Sequence, residues 1–288
     1  MRRHQNRDGP GRTALDTEAL RWRILVDPPS SGPQNMAVDH ALAACSSPGE
    51  AVLRIYRWSC PTVSFGRNEP ALDRYDLARG HSAGIEFVRR PTGGRAVLHN
   101  RELTYAAVLP CATPGGLRAT YRMINSGLVE ALRFLGIPAT MAEGPRSTRG
   151  LDAGPCFNAP ARGEITVAGR KLVGSAQARL QGAILQHGSL LMGPGQDRLL
   201  DLISKPAVCR TGVNPREIER RVGAKGPISI EEVLCPAPPW SHLVDAVISG
   251  LRGVAGGDWH RGELAEAERD GSIELAGRYA SAEWTWRR

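Results

Sequence analysis

The order of strand-like and helix-like segments constrains this chain more than any other feature. A first strand is predicted at Trp22–Val26. Five more follow in close succession over Val52–Trp58, Thr62–Gly66, Ile85–Arg90, Arg95–His99 and Leu103–Leu109, where beta-branched residues and alternation recur. Another three are predicted at Glu164–Ala168, Leu172–Arg179 and Ala183–Met192, with Gly169-Arg170 at a tight hairpin turn. Helical spacing marks Asn35–Cys45 and the stripe Tyr121, Ile124, Leu128, Leu132 and Leu135, which Gly136 and Pro138 stop. After Gly193 the chain turns mainly helical, at Asp197–Ser204, Ile230–Leu234, Ser241–Val254 and Gly262–Asp270. Strands in runs and helices in runs predict an α+β fold rather than an alternating parallel sheet. Residues 1–17 read as a disordered tail, and 18–288 as one domain, since neither a repeat nor a long linker divides them.

An apolar fraction of 41% over 288 residues suffices for a sizeable core and excludes wholesale disorder. The net charge of +8 raises the question of nucleic acid, but the arginines are dispersed and aromatics make up only 5%. That is poor material for base stacking. A diffuse positive field suits an acidic partner instead, including a small acidic carrier protein. Among 37 lysines and arginines, only Lys171, Lys205 and Lys225 are lysines. Codon bias explains most of that excess, yet it makes a lysine in a motif a less common accident. The six cysteines form no C-x-x-C pair, so no zinc framework is expected. With no secretory signal and no apolar run of the ~18 residues a membrane span needs, the expectation is a cytoplasmic protein with reduced thiols.

Four segments carry possible chemistry. In Val88–His99, Arg89 and Arg90 end a strand, Gly93-Gly94 makes a turn and a second strand leaves toward His99. Paired glycines let backbone N–H groups approach an anion or carbonyl, and the arginines add charge for a phosphate or carboxylate. A plain hairpin with a solvated basic rim is the competing reading. In Gly169–Gln177, Lys171 enters an apolar strand that continues through Gly174 and Ser175. A lysine placed so can stabilise an oxyanion, or simply sit exposed at a strand start. Cys156 lies in the loop Gly154-Pro155-Cys156-Phe157-Asn158-Ala159-Pro160, either accessible for nucleophilic work or buried as a small hydrophobe. His187 interrupts an apolar strand within Gln186-His187-Gly188-Ser189, where a bulge, a close backbone approach or a satisfied sheet histidine would each fit. His99 and His187 are isolated in sequence, so only the fold could pair either with a cysteine.

Together these segments resemble the lipoate–protein ligase, octanoyltransferase and biotin ligase family. The likeness to R-R-x-x-G-G-x-A-V-x-H covers Arg89 to His99. Similar segments continue at Asn35–Asp39, Trp58–Gly66, Gly169–Gln177, Gln186–Ser189 and Tyr279-x-x-x-Glu283-Trp284, in order along most of the chain. Within the family the chain is most similar to the cysteine-dependent octanoyltransferases of the LipM type. These share R-P-T-G-G-R-A-V-L-H followed by E-L-T-Y, a C-F-x-A-P loop and G-R-K-x-x-G-S-A-Q.

The resemblance implies a single α+β domain of the biotin and lipoate ligase catalytic type, with a mixed or antiparallel sheet flanked by helices and no C-terminal accessory domain. It implies Cys156 as nucleophile and Lys171 as the ligand of the acyl carbonyl. Arg89, Arg90, Gly93, Gly94, His99, Gly174, Ser175 and His187 would bind substrate. The implied reaction moves an octanoyl group from acyl carrier protein through a Cys156 thioester to a lysine of a lipoyl domain or glycine-cleavage H protein, without cofactor or metal. Asn158 departs from the aspartate expected in relatives. Three other readings remain at this point. They are an ATP- and Mg-dependent lipoate ligase, a lipoyl-domain amidotransferase, and a non-catalytic module that binds lipoyl domains or nucleic acid.

Overall fold

The computed structural model describes residues 20–143, 156–158, 160–204 and 226–288. The expected tail, Gly154, Pro155, Ala159, Lys205, Cys209 and Lys225 lie outside the described residues. The first half runs β1 (Arg21–Val26), α1 (Gly32–Ala44), β2 (Glu50–Tyr56), β3 (Thr62–Phe65), α2 (Leu77–Ser82), β4 (Glu86–Arg89), β5 (Val97–His99), β6 (Glu102–Pro110) and α3 (Gly116–Phe134). There follow β7 (Thr140–Met141), a 3-10 turn Cys156–Asn158, β8 (Ile165–Val167), β9 (Arg170–Leu180), β10 (Ala183–Leu191) and a 3-10 segment Gln196–Leu202. The chain then forms α4 (Ile230–Val233), α5 (Trp240–Ala255), β11 (Asp258–Arg261), α6 (Glu266–Ala280) and α7 (Ala282–Thr285).

Eight strands form the main sheet in the order β11-β1-β2-β6-β10-β9-β8-β7. Only the β1 pairings with β11 and β2 are parallel, so the sheet is mixed. The second sheet has three strands, β4-β3-β5. Strands β6 and β10 are buried at every position because helices cover both faces. Successive residues point to opposite sides, so Leu53, Ala107 and Val173 meet one core while Val52, Ala106 and Leu185 meet the other. On the first side α3 and α5 pack through Ile124, Leu128, Leu243 and Val247. Their backbones touch at Gly127 and Gly250, where a Cβ on Gly250 would stand 2.3 Å from the Gly127 carbonyl oxygen. Helices α1 and α6 cover the other side through Met36, Leu42 and Tyr279.

The terminal segment straps the small sheet down. Trp284 donates from Nε1 to the Arg89 carbonyl at 2.7 Å, and Arg89 donates back from Nε to the Thr285 carbonyl at 2.9 Å. This gives the tryptophan motif near the C-terminus a structural task.

Several expectations change. Arg89 to His99 is not a hairpin, because β4 and β5 do not pair and both flank β3. The β8–β9 turn is Ala168–Gly169, both at positive φ (50° and 75°), and Arg170 already belongs to β9. Strand β10 carries no bulge at His187, since its register with β6 is continuous. The helix expected from Gly262 starts at Glu266 and runs to Ala280, and Asp258–Arg261 before it is a strand that pairing with β1 creates. Asp197–Ser204 is a 3-10 segment over Gln196–Leu202. Among the described residues no helix is long and apolar enough to cross a membrane.

Candidate functional site

A cavity of about 220 Å³ opens where the two sheets meet. Its apolar wall comes from Met36, Tyr56, Trp58, Val97 and Ala176. Cys156, Arg90, Gly94, His99, Gly174, Ser175 and His187 also line it. Lys171 reaches it from behind through Cys156.

The β8–β9 hairpin brings Lys171 and Glu164 to the 3-10 turn that carries Cys156. Its register sets Lys171 opposite Thr166, with Glu164 just before β8. Lys171 is 1% exposed, so its ammonium needs partners. It donates to Glu164 Oε1 at 2.7 Å, to the Cys156 carbonyl at 3.1 Å and to Cys156 Sγ at 3.4 Å. Burial pulls its pKa down, but the facing Cys156 sulfur and Glu164 carboxylate outweigh it and hold the pKa above the usual lysine value. Lys171 Nζ also lies 4.7 Å from the centre of the Phe157 ring. The Cys156 turn is tied to the segment leading into β5 by its own N–H, which donates to the Ala96 carbonyl at 3.0 Å.

Gly174 makes room for this arrangement. A Cβ there would stand 3.0 Å from both Lys171 Cε and Phe157 Cζ. At Gly188 a Cβ would stand 2.5 Å from the Gly174 carbonyl oxygen and 2.7 Å from Tyr105 Cε1, so β10 carries no side chain where it meets them. The close backbone approach expected around His187 is present, one residue further on.

The other predicted residues divide into wall and support. Arg90 donates to the carbonyls of Ser64 at 2.8 Å, Gly93 at 2.9 Å and Arg95 at 2.8 Å, which shapes the turn that brings Gly94 to the cavity. Gly94 takes φ 94°, a conformation suited to glycine. Gly66 closes against this turn, since a Cβ on it would lie 1.9 Å from the Gly94 oxygen. Arg89 stands behind the wall, fully buried, giving Nη1 to the carbonyls of Gly66 at 2.6 Å and Glu69 at 2.7 Å. Arg89 and Gly93 are not among the residues of the cavity wall. The arginines that the sequence presents as a charged rim are thus largely spent on backbone carbonyls.

Two buried histidine networks back the wall. Asp39 accepts from Arg54 at 2.7 Å, Tyr56 at 2.9 Å and His187 Nδ1 at 2.9 Å. Burial would raise Asp39, but His187 and Arg54 together hold it below the ordinary carboxylate range. Burial also lowers His187 despite Asp39, so the ring is neutral with its proton on Nδ1. Its Nε2 then accepts from Thr92 Oγ1 at 2.6 Å, fastening the residue before the glycine pair. In the second network His99 Nδ1 donates to Glu102 Oε1 at 2.6 Å, and Nε2 meets Ser64 Oγ at 2.7 Å. Trp58 stacks on His99 at 3.9 Å between ring centres. Neither histidine is hydrogen-bonded to Cys156 among the described residues, so the thiol's polar neighbour is Lys171.

Sequence reasoning missed Glu164, Asp39, Thr92 and Glu102. A cross-strand charge pair on the β8–β9 hairpin would have pointed to Glu164. Asp39, Thr92 and Glu102 are joined to their histidines across 148, 95 and 3 positions, so only Glu102 carried a local signal. Among the described residues no group of three or more histidine, cysteine or acidic side chains could hold a metal ion.

Comparison with known proteins bears on this geometry. The profile of the lipoyl protein ligase A/B catalytic domain matches residues 31–249. Octanoyltransferase LipM of Kyrpidia tusciae is 36% identical over 276 residues, covering 93% of this chain and 99% of that protein. Octanoyltransferase LipM of Bacillus subtilis is 33% identical over 278 residues, covering 93% and 98%. In fold, the chain is similar to a lipoate-protein ligase A bound with ATP, with a TM-score of 0.75 at 23% identity, covering 93% and 99%. A bipartite lipoate protein ligase from Thermoplasma acidophilum gives a TM-score of 0.76 at 22% identity, covering 93% and 96%.

Proposed function

Because the chain belongs to the lipoyl protein ligase A/B catalytic domain family, we infer that its cavity serves octanoyl transfer in lipoate biosynthesis, with Cys156 carrying the acyl group. The activity is that of the octanoyltransferases to which the chain is 33% to 36% identical over nearly full length. It is an acyltransferase working on a protein acceptor. The observation that carries the role of Cys156 is the ammonium of Lys171 at 3.4 Å from its sulfur, at the wall of a largely apolar cavity. A cation beside sulfur favours the thiolate, the form that attacks.

In the first step Cys156 Sγ attacks the thioester carbonyl of octanoyl acyl carrier protein. Lys171 donates to the developing oxyanion. The carbon–sulfur bond to the carrier breaks, and the carrier thiolate takes the proton that Cys156 lost. In the second step the neutral ε-amine of a lysine on a lipoyl domain or glycine-cleavage H protein attacks the Cys156 thioester. An amide forms, and the amine proton ends on the departing Cys156 sulfur. Two thermally easy transfers replace one direct aminolysis at long range between two proteins. The donor is already a thioester, so no cofactor is required.

Gly94, Ser175 and Gly174 bound the reacting carbonyl, while Arg90, His99 and His187 hold the walls. Arg89 acts through the Gly66 and Glu69 carbonyls it holds, and Gly93 through the turn that Arg90 fixes. Burial of the acyl tail against Met36, Val97 and Ala176 contributes about 0.8 kcal/mol per methylene, enough to favour a chain of one length. Free thiols at Cys45, Cys60, Cys111, Cys156 and Cys235 fit a reducing, cytoplasmic setting.

Mixing the enzyme with octanoyl carrier alone should leave an octanoyl thioester on Cys156, detected by intact mass and removed by hydroxylamine. Full transfer by Cys156→Ala, or transfer from free acid that depends on ATP and survives that substitution, would overturn the role of Cys156.

A further inference from the structure

We propose that the exposed arginines Arg67, Arg278, Arg287 and Arg288 form the docking site for the protein that delivers the acyl thioester, gripping its acidic surface and the phosphodiester of its prosthetic arm. The proposal rests on the octanoyl-transfer reading above and adds the place where the donor binds.

The four side chains converge although they come from two distant parts of the chain. Arg278 and Arg287 each place their guanidinium carbon 3.8 Å from the centre of the Trp284 ring. Arg287 also donates to the Arg67 carbonyl at 2.6 Å. Residue Arg288 follows directly, and its main-chain oxygen accepts from the N–H groups of Ala71 and Leu72 at 2.8 and 2.7 Å, which ties this segment to the loop after β3. All four are exposed. Among the described residues none has a carboxylate within ion-pair distance.

Like charges held together with no Asp or Glu side chain paired to them cost free energy that an anion can recover. The repulsion is felt within the cluster. Arg287 is lowered by burial and then by Arg67, Arg288 and Arg278, and Arg89 beneath is lowered to about 10 by burial and then by Arg287. Rings and backbone contacts pre-order the forks, so little side-chain entropy is lost on binding. A planar fork matches a phosphate or carboxylate in two-point contact, which a lysine could not do equally well.

Position assigns the cluster to the donor. Arg67 donates its N–H to the Thr92 carbonyl at 2.7 Å, and Gly66 before it packs on the Gly94 oxygen of the cavity wall. Arg67 is thus one backbone hydrogen bond from the turn that carries Gly94 to the cavity. The donor presents a phosphodiester together with an acidic protein surface. The acceptor's attacking lysine carries no phosphodiester for the forks to grip, and the two half-reactions are separated in the test below.

The test is Arg278→Gln/Arg287→Gln, with the first step isolated by following acylation of Cys156 under single turnover. Three donors separate the sources of charge: octanoyl carrier protein, octanoyl-4′-phosphopantetheine and neutral octanoylpantetheine. Acylation by the carrier should slow about tenfold or more at low salt, and by the phosphorylated arm to a lesser degree. Acylation by octanoylpantetheine, and deacylation of preformed octanoyl-enzyme by lipoyl domain, should not change. Equal carrier rates in variant and parent, an equal loss with octanoylpantetheine, or a loss confined to the lipoyl-domain step would each overturn the assignment. Binding of labelled octanoyl carrier to Cys156→Ala, read by anisotropy, does not depend on the chemistry. There the double substitution should weaken affinity about tenfold, and unchanged affinity refutes the docking site whether or not Cys156 proves to be acylated.

Discussion

Lys171 Nζ lies 3.4 Å from Cys156 Sγ and 2.7 Å from Glu164 Oε1. The same buried ammonium thus meets a fixed carboxylate on one side and the Cys156 sulfur on the other. Against the burial that lowers it, the Cys156 sulfur and the Glu164 carboxylate together hold the Lys171 pKa above the usual lysine value.

Removing Lys171 should cost activity and stability together. Lys171→Met leaves Glu164, which is 7% exposed, as an uncompensated buried carboxylate. The expected loss is about 3–5 kcal/mol in chemical denaturation and roughly 100-fold or more in Cys156 acylation. The double substitution Lys171→Met/Glu164→Gln should recover most of the stability and none of the rate. Recovery of both would show that Lys171 only balances charge.

Gly174→Ala tests the packing that sets this geometry. The added methyl would meet Lys171 Cε and Phe157 Cζ at 3.0 Å. Destabilisation of about 1–3 kcal/mol should accompany a fall of roughly tenfold or more in kcat/KM, since small displacements of reacting groups are expensive. An unchanged rate would mean that the Lys171 position is not critical.

Stability should fall on the acid side of neutrality. The pKa of buried His187 is below the ordinary value of 6.5, so below that pH the unfolded chain binds a proton that the folded chain refuses. The stability contributed is present above pH 6.5 and declines as pH falls toward the lower folded value. His40, also lowered by burial, adds in the same direction. Thermal melts between pH 7.5 and 5 should show the decline, and His187→Gln should flatten it. An identical profile in that variant would rule out His187 as a source.

Filling the apolar wall should shorten the preferred acyl chain. Ala176 faces the cavity beside Gly174 and Ser175. Ala176→Leu should lower use of octanoyl donors relative to hexanoyl donors by about four-fold for each methylene displaced, from ~0.8 kcal/mol per methylene. Competition between the two donors, read by product mass, gives the ratio directly.

Legibility differed from element to element. Strands β6 and β10 and helix α3 were readable because each carries its own period or apolar run, which packing then reinforces. Strand β11 was not, because Asp258–Arg261 is half-exposed and polar and becomes a strand only by pairing with β1, where Trp259 stacks on Trp22 at 4.5 Å. The apparent hairpin between Arg89 and His99 failed for a related reason. A glycine turn says that two strands are close in sequence, and β3 is inserted between them by a contact that starts more than twenty residues upstream.

The sequence by itself determined the α+β class, because residue type and period are local properties, and through the family resemblance it drew attention to the segments around Cys156 and Lys171. The tertiary structure alone decided that these two meet, that Glu164 stands behind them and that Arg89 is spent on carbonyls rather than offered to a ligand. Hydrogen bonds of about 3 Å between residues far apart in the chain have no local signature, and charges gain their meaning from burial. The same holds for Arg67 and Arg287. They are 220 positions apart in sequence and joined by a single 2.6 Å hydrogen bond in the fold.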